Sequence, residues 1–362
     1  MAGLENHPHR SMNHRIEKGT PMRAARAIIL AALIILSVPV AGAAQTPGEV
    51  FRKVTPSVVV IRAKGSEVTP GGQVRFTETG SGVLISADGK VMTAAHVVHS
   101  MNDISVEFLG GDTVSARVIA SEPAADLSLI QLERVPAGAK VAVMANSDTV
   151  RVGDPVYIVG APYGLSYSLS AGLISARWAP NTVHRAMPLA EFFQTNATIN
   201  TGNSGGPMFN AAGEVIGIVS HNISKSGGSE GLGFVVTMKT ARELLLAKKS
   251  FWGGLEGEFL SDELLDLLNV PNNMKGYLVK SVAKGSPGDE AGLRGGNKVV
   301  TVDGQQIVLG GDIILSVEGV PAESPASMMK IRDHLATMKP GASLTATVLR
   351  AGKVIELTGV VP

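Results

Sequence analysis

Ser204 lies in the stretch Thr201-Gly202-Asn203-Ser204-Gly205-Gly206-Pro207, a serine between small and glycine residues. Glycine accepts positive φ and lets backbone N–H groups approach a ligand with no Cβ in the way. A nucleophilic serine needs that setting: an exposed Oγ beside N–H donors able to hold a developing oxyanion. By itself the run reads as a turn. Two features upstream give it chemistry. His96 closes the stretch Val91-Met92-Thr93-Ala94-Ala95-His96, where the two alanines leave room for an imidazole. Asp126 stands at the mouth of an alternating apolar run, Asp126-Leu127-Ser128-Leu129-Ile130-Gln131-Leu132, a place where aspartate commonly just makes a turn. A serine hydroxyl is a poor nucleophile until a neutral imidazole takes its proton. The imidazole in turn needs a carboxylate to fix its tautomer and stabilise its charged form. The order His, Asp, Ser is one of the convergent orders in which that trio occurs. His99, His184 and His221 have no comparable setting and read as structural or merely exposed.

The elements that must position these side chains are short strands. The chain has 362 residues, enough for two domains or slightly more, and 44% hydrophobic residues, enough for large cores. Gly 42 and Pro 19 with only 4% aromatics point to many turns and a mainly β architecture. A net charge of +1 argues against nucleic acid as a partner. With no cysteine, disulfides, thiol nucleophiles and cysteine metal sites are excluded. No metal site and no cofactor is expected. The absence of a Gly-x4-Gly-Lys-Ser/Thr loop argues against nucleotide-driven work.

Residues 1–44 read as an export segment: Arg23 and Arg26, the apolar run Ala27–Val38, then Ala41-Gly42-Ala43-Ala44 with an Ala-x-Ala pattern. The alternative is an uncleaved anchor, for which Pro39 and Gly42 leave a marginal span. Beyond it, Val58–Ile61 reads as a buried strand followed by a Gly-rich loop at 65–72, with further strands at 104–108 and 114–120. Thr240–Lys249 reads as a short helix closing this region.

Thr-Ala-Ala-His, Asp-Leu-x-Leu-Ile and Gly-Asn-Ser-Gly-Gly-Pro at these separations resemble the trypsin-like serine proteases of the HtrA/Deg family, over about residues 46–362. The resemblance implies two six-stranded β-barrels with the active site between them, a protease domain over 45–248 and a PDZ domain over 249–362. It implies His96 as general base, Asp126 as its orienter and Ser204 as nucleophile. The oxyanion hole falls at Gly202 and Ser204, with Asn203 between them. By position Ile199 walls the substrate pocket, favouring small or medium apolar side chains, and Ser220 helps hold Asp126. The regulatory loop falls at 177–191. Asn196 and Thr198 depart from the Thr-Asp-Ala-Ala common in the family, which removes a charge.

The C-terminal region resembles one circularly permuted PDZ domain. Such a domain binds a peptide by strand addition and captures its terminal carboxylate on backbone N–H groups. The matching loop is Gly276-Tyr277-Leu278-Val279, with a helix over 325–338 as the other wall. Asp303-Gly304 between alternating runs predicts an extra hairpin near 298–308. The resemblance implies an ATP-independent serine endopeptidase of the periplasm acting on unfolded or misfolded exported polypeptides, assembled as a homotrimer or larger oligomer, with attachment to the inner membrane through its N-terminus as the alternative location. Two other readings are open: a chaperone or binding module without catalysis, and a site-specific signalling protease switched by peptide C-termini.

Overall fold

The computed structural model describes residues 45–361 apart from 166, 226, 248–250, 269, 271–273 and 303. The expected export segment, 1–44, lies outside the described residues. Among those described, no helix is long and apolar enough to cross a membrane.

The helix Pro47–Val54 opens the described chain. Thr46 caps it: its hydroxyl accepts from the Glu49 N–H while the Glu49 carboxylate accepts from the Thr46 N–H, and Pro47 sits where its missing N–H costs nothing. Val50 and Val54 bury its inner face.

The first barrel follows: β1 (Val58–Thr69), β2 (Gly72–Leu84), β3 (Lys90–Thr93), β4 (Asp103–Glu107), β5 (Thr113–Glu122) and β6 (Leu127–Leu132). They close in the order β1-β2-β3-β6-β5-β4, with β4 pairing back onto β1. The loop expected at 65–72 is strand instead. β1 and β2 stay in register from Val58↔Val83 to Thr69↔Gly72, and the Phe76 ring packs over Gly65, where a Cβ would come within 2.7 Å of it. Only the tip turns.

The second barrel comprises β7 (Pro155–Gly160), β8 (Ser168–Trp178), β9 (Phe192–Thr195), β10 (Pro207–Phe209), β11 (Val215–Asn222) and β12 (Gly233–Thr237), closed as β10-β11-β12-β9-β8-β7. Closure removes every sheet edge and puts alternate side chains inside. Ile61, Leu84, Val91 and Ile130 fill the first barrel. Ile158, Ile174, Phe193 and Val235 fill the second. A third cluster, including Val83, Met92, Leu129, Val159, Phe192 and Val236, joins the two. The closing helix starts at Met238, capped by the Thr237 hydroxyl, and widens into a π-helical turn over Arg242–Ala247.

The C-terminal module is a six-stranded sheet. β13 (Leu255–Phe259), β14 (Tyr277–Val282), β17 (Ile313–Val317), β19 (Ser343–Arg350) and β20 (Lys353–Val360) lie in that order, and β18 (Val320–Pro321) pairs with β17. The helix Pro325–Thr337 packs Ile331 and Leu335 into its core. The extra hairpin is present as β15 (Lys298–Val302) and β16 (Gln305–Leu309). The peptide loop expected at Gly276, Tyr277, Leu278 and Val279 is contradicted: β14 is paired on both sides, Phe259↔Tyr277 on one and Tyr277↔Ile314 on the other. Strand addition needs an open edge, and the outer strands of this sheet are β13 and β20.

Asp312 holds this module together. Its side chain is only 1% exposed, and it receives Arg350 through Nε and Nη2, both at 2.7 Å, as well as the Arg294 N–H at 2.8 Å. Removing the guanidinium leaves a buried carboxylate short of its countercharge. Arg350→Ala is expected to cost about 3–5 kcal/mol, read as a lowered urea midpoint of the C-terminal module; a midpoint unchanged from wild type contradicts this.

Candidate active site

Asp126 follows the 3-10 turn Pro123–Ala125 and takes a left-handed conformation, φ 53°, which aspartate tolerates better than most residues. The turn brings the carboxylate inward, where it is 4% exposed, onto His96 in the short helix Ala95–Val98 after β3. Asp126 Oδ1 accepts from His96 Nδ1 at 2.9 Å and from the His96 backbone N–H at 3.1 Å, and Oδ2 lies 3.0 Å from Nδ1. The Ser220 hydroxyl, from β11 of the other barrel, donates to Oδ2. With Nδ1–H donated to the carboxylate, His96 presents a bare Nε2.

Burial opposes the imidazolium, but the hydrogen bond and charge of Asp126, with Glu78 adding to them, outweigh it and raise His96 above its ordinary value. Burial likewise opposes ionised Asp126. The bonds from His96 and Ser220 outweigh it and hold that carboxyl below its ordinary range. Asp126 is therefore held as the carboxylate, and its charge makes the His96 imidazole more basic.

The Ser204 loop is threaded between the barrels. Gly202 has φ +97° and a Cβ there would fall 2.1 Å from Ala161 O; Gly205 has φ +80° and a Cβ would fall 2.1 Å from Thr93 Oγ1. No side chain fits at either position, so the glycines of the motif are steric requirements. Ser204 Oγ donates to the Ser220 carbonyl at 3.2 Å. The residue whose hydroxyl holds Asp126 thus also holds the Ser204 hydroxyl through its main chain. Among the described residues Ser204 Oγ makes no hydrogen bond to His96; contacts of this kind commonly tighten only when substrate binds.

Among the described residues the N–H groups of Gly202 and Ser204 have no acceptor, whereas the Asn203 N–H is bonded to Asn200 O at 3.0 Å. Two free donors flank a committed one, as an oxyanion hole at Gly202 and Ser204 requires. Asn203 itself is buried. Ile199 is buried in the second barrel's core, and Gly233 faces it so closely that a Cβ there would lie 2.5 Å from Ile199 Cδ1. Asn196 Oδ1 accepts from the Leu173 N–H at 2.8 Å, so the departure from aspartate still pins β8.

Two groups at the site stand outside the sequence expectations. Ser81, in Gly80-Ser81-Gly82 of β2, fastens the nucleophile loop to the first barrel. Its N–H donates to Ser204 O at 2.8 Å, and its hydroxyl donates to Gly202 O at 2.7 Å and accepts from the Ala161 N–H at 3.0 Å. Flanking glycines were the available signal. His184 and His221, expected to be unremarkable, lie beside Asp126: His221 Nδ1 is 3.0 Å from Ser220 Oγ, and the two Nε2 atoms are 2.5 Å apart. Nothing in their spacing, one in a loop and one in a strand, announces this. Ser81→Ala strands Gly202 O and the Ala161 N–H; it is expected to cost about 1–3 kcal/mol in urea unfolding and to slow fluorophosphonate labelling of Ser204. Unchanged labelling and stability contradict the role given to Ser81.

Residues 80–218 match the family model for the trypsin-like peptidase domain. The periplasmic pH-dependent serine endoprotease DegQ of Escherichia coli (strain K12) is 30% identical over 368 residues, 91% of this chain and 76% of the relative. A probable periplasmic serine endoprotease, DegP-like, of Ectopseudomonas mendocina (strain ymp) is 33% identical over 271 residues, 73% of this chain and 56% of the relative. The chain thus spans little more than half the length of its DegP-like relatives. Among solved structures, the HtrA-type protease AlgW with a decapeptide aligns with a TM-score of 0.51 and 26% identity, covering 88% of this chain and 99% of that one. With two closed barrels, a paired His96 and Asp126, and these relatives, the chain belongs to the HtrA/Deg family of serine proteases.

Proposed function

We propose that this protein is an ATP-independent serine endopeptidase of the periplasm that cleaves unfolded or misfolded exported polypeptides through an acyl-enzyme. The observation that carries the reading is the buried Asp126 carboxylate, shared between His96 of one barrel and Ser220 of the other, with Ser204 on the same Ser220. His96 Nε2 takes the Ser204 proton as Oγ attacks the substrate carbonyl. The N–H groups of Gly202 and Ser204 receive the oxyanion, and His96 returns the proton to the leaving amine. Water then repeats the sequence on the acyl-enzyme. By its position before the nucleophile loop, Ile199 is read as a wall of the substrate pocket, favouring small or medium apolar side chains before the scissile bond. The periplasmic location is supported by the names of the relatives and by the export-like segment 1–44. That segment is cleaved or retained as an anchor, and a homotrimer is the expected assembly.

The test is β-casein cleavage by wild type and by Ser204→Ala, with fluorophosphonate labelling. Loss of both in the variant supports the reading, and equal cleavage removes Ser204 from the mechanism. Asp126→Asn loses the carboxylate that sets the His96 tautomer and is expected to lower kcat by about 10⁴-fold. Because His96 is active when neutral and its pKa is raised, kcat/KM in wild type is expected to fall with pH on an acid limb above the ordinary histidine value, 6.5. An acid limb below that value contradicts the assignment.

The C-terminal module is read as a PDZ domain that binds peptide C-termini, with the site relocated to β13. An apolar cavity of about 350 Å³ lies between β13 and the helix Pro325–Thr337, lined among others by Phe251, Leu255, Phe259, Met328 and Leu335. The likeness to AlgW with its decapeptide favours the same reading. Gly254 O accepts from the Ala283 N–H, and carbonyls alternate along a strand, so Leu255 O points to the open edge. There it accepts from His99 Nε2 of the first barrel at 3.0 Å. An incoming peptide strand competes with His99 for that carbonyl. His99→Ala is therefore expected to bind a fluorescent C-terminal peptide about 2–10-fold more tightly, measured by anisotropy; weaker binding contradicts the placement.

A further inference from the structure

His184 and His221 form a titratable cluster that the mechanism above does not use. His221 lies on β11, next to Ser220, with its ring stacked on Phe234 at 5.1 Å between centroids and 10° between planes. Phe192 meets it edge-on at 5.6 Å and His184 at 4.0 Å. His184 comes from the loop between β8 and β9. That same loop touches the Asp126 turn, where the Leu189 N–H donates to Ala124 O at 3.1 Å.

Proton counting fixes the direction of every bond in this cluster. The Ser220 hydroxyl has one proton, and ionised Asp126 can only accept it. Ser220 Oγ must therefore accept from His221, which requires His221 to carry its proton on Nδ1. The Nε2 of neutral His221 is then bare. It faces His184 Nε2, and two bare nitrogens repel, so His184 carries its proton on Nε2 and donates. The chain reads His184 to His221 to Ser220 to Asp126, with His96 on the far side of the carboxylate.

We infer that His221, oriented by His184, is a positioning residue for the Ser204 site: its Nδ1–H holds the Ser220 hydroxyl in the one rotamer that donates to Asp126. The inference rests on the protease reading above. It makes the triad carboxylate answer to a second histidine from the side opposite the catalytic one. Burial first, and then the neighbouring charge of His184 with a smaller contribution from His96, push His221 down to about 4 against the pull of Asp126. His221 therefore stays neutral, with the chain intact, wherever His96 is itself neutral. The titratable groups acting on His221 are His184, Asp126 and His96, and Glu78 acts on His96 in turn.

Loss of the Nδ1 donor has a predictable sign. Ser220 is released, and Asp126 loses part of what stabilises its charge away from His96. The carboxylate then holds the imidazolium more tightly, so His96 loses its proton only at higher pH and the acid limb of kcat/KM moves up.

Two substitutions separate this from a packing role. His221→Phe keeps a stacked ring and removes the donor; His221→Asn keeps a donor near the Nδ1 position and removes the ring. kcat, KM, the acid limb and the thermal midpoint are measured for both. The expectation is that His221→Phe loses about tenfold in kcat at little-changed KM with its acid limb raised, and that His221→Asn recovers most of both. If His221→Phe matches wild type, or if His221→Asn is the more impaired of the two, the inference is overturned. A measurement on the unaltered protein decides the matter even if a variant fails to fold. Imidazole ¹⁵N shifts at neutral pH should show His221 as the Nδ1–H tautomer; the Nε2–H tautomer overturns the inference. That result also stands apart from the protease reading, which fails separately if Ser204→Ala still cleaves.

Discussion

A carboxylate taken out of water must be met on every side, and Asp126 is met from both barrels. Its partners are the ring and backbone N–H of His96, which follows β3, and the hydroxyl of Ser220 on β11. A buried charge left without a partner costs several kcal/mol. The relative placement of the two barrels is therefore tied to the ionisation of one residue. The shared apolar cluster, with Met92 and Leu129 from one barrel and Phe192 and Val236 from the other, supplies the non-directional adhesion. Asp126, Ser220 and Ser81 supply the register. Ser81 belongs in this list because its main chain and hydroxyl fasten the Ser204 loop to β2. Structural and chemical roles coincide here: the bonds that align the barrels also set the tautomer of His96.

The C-terminal module is docked on the segments that carry the site. Trp252 Nε1 donates to His99 O at 2.9 Å, Ser100 Oγ donates to Glu256 at 3.1 Å, and Arg332 pairs with Glu122. His99 and Ser100 follow His96 within one turn, and Glu122 precedes Asp126 by four residues. Contact of this kind is a physical route between β13 and the geometry at Asp126. A ligand shifts such a system only by its difference in affinity for two arrangements. The His99 bond to Leu255 O is one contact by which two arrangements of the β13 edge can differ.

The deviations from the sequence reading share a cause. β14 takes in Tyr277, Leu278 and Val279 of the expected peptide loop, and their pattern is that of a strand. Whether a strand is open or covered depends on its neighbours, which come from residues 255–259 and 313–314, too far along the chain for any local pattern to specify. Gly65 looked like a loop residue because glycine usually interrupts strands. Here it stays in the strand because the Phe76 ring needs the space a Cβ would take. His184 and His221 are not legible in the sequence because histidine alone carries no positional signal.

The amino-acid sequence alone determined a mainly β chain free of thiol chemistry, and the trio His96, Asp126 and Ser204 with the glycines that give Ser204 its loop. These are legible because they depend on residue type and local backbone: Gly202 and Gly205 must lack a Cβ, and an alternating apolar run must be a strand. Tertiary structure decided that the Ser204 hydroxyl rests on the Ser220 carbonyl, that Ser81 ties the loop down, that β14 is an inner strand and β13 an outer one, and that a histidine pair stands behind Asp126. Each of these is a contact between residues distant in sequence. Their hydrogen-bond directions follow from which donors and acceptors the folded chain brings within 3 Å or so of one another, and a linear order of residues does not contain that information.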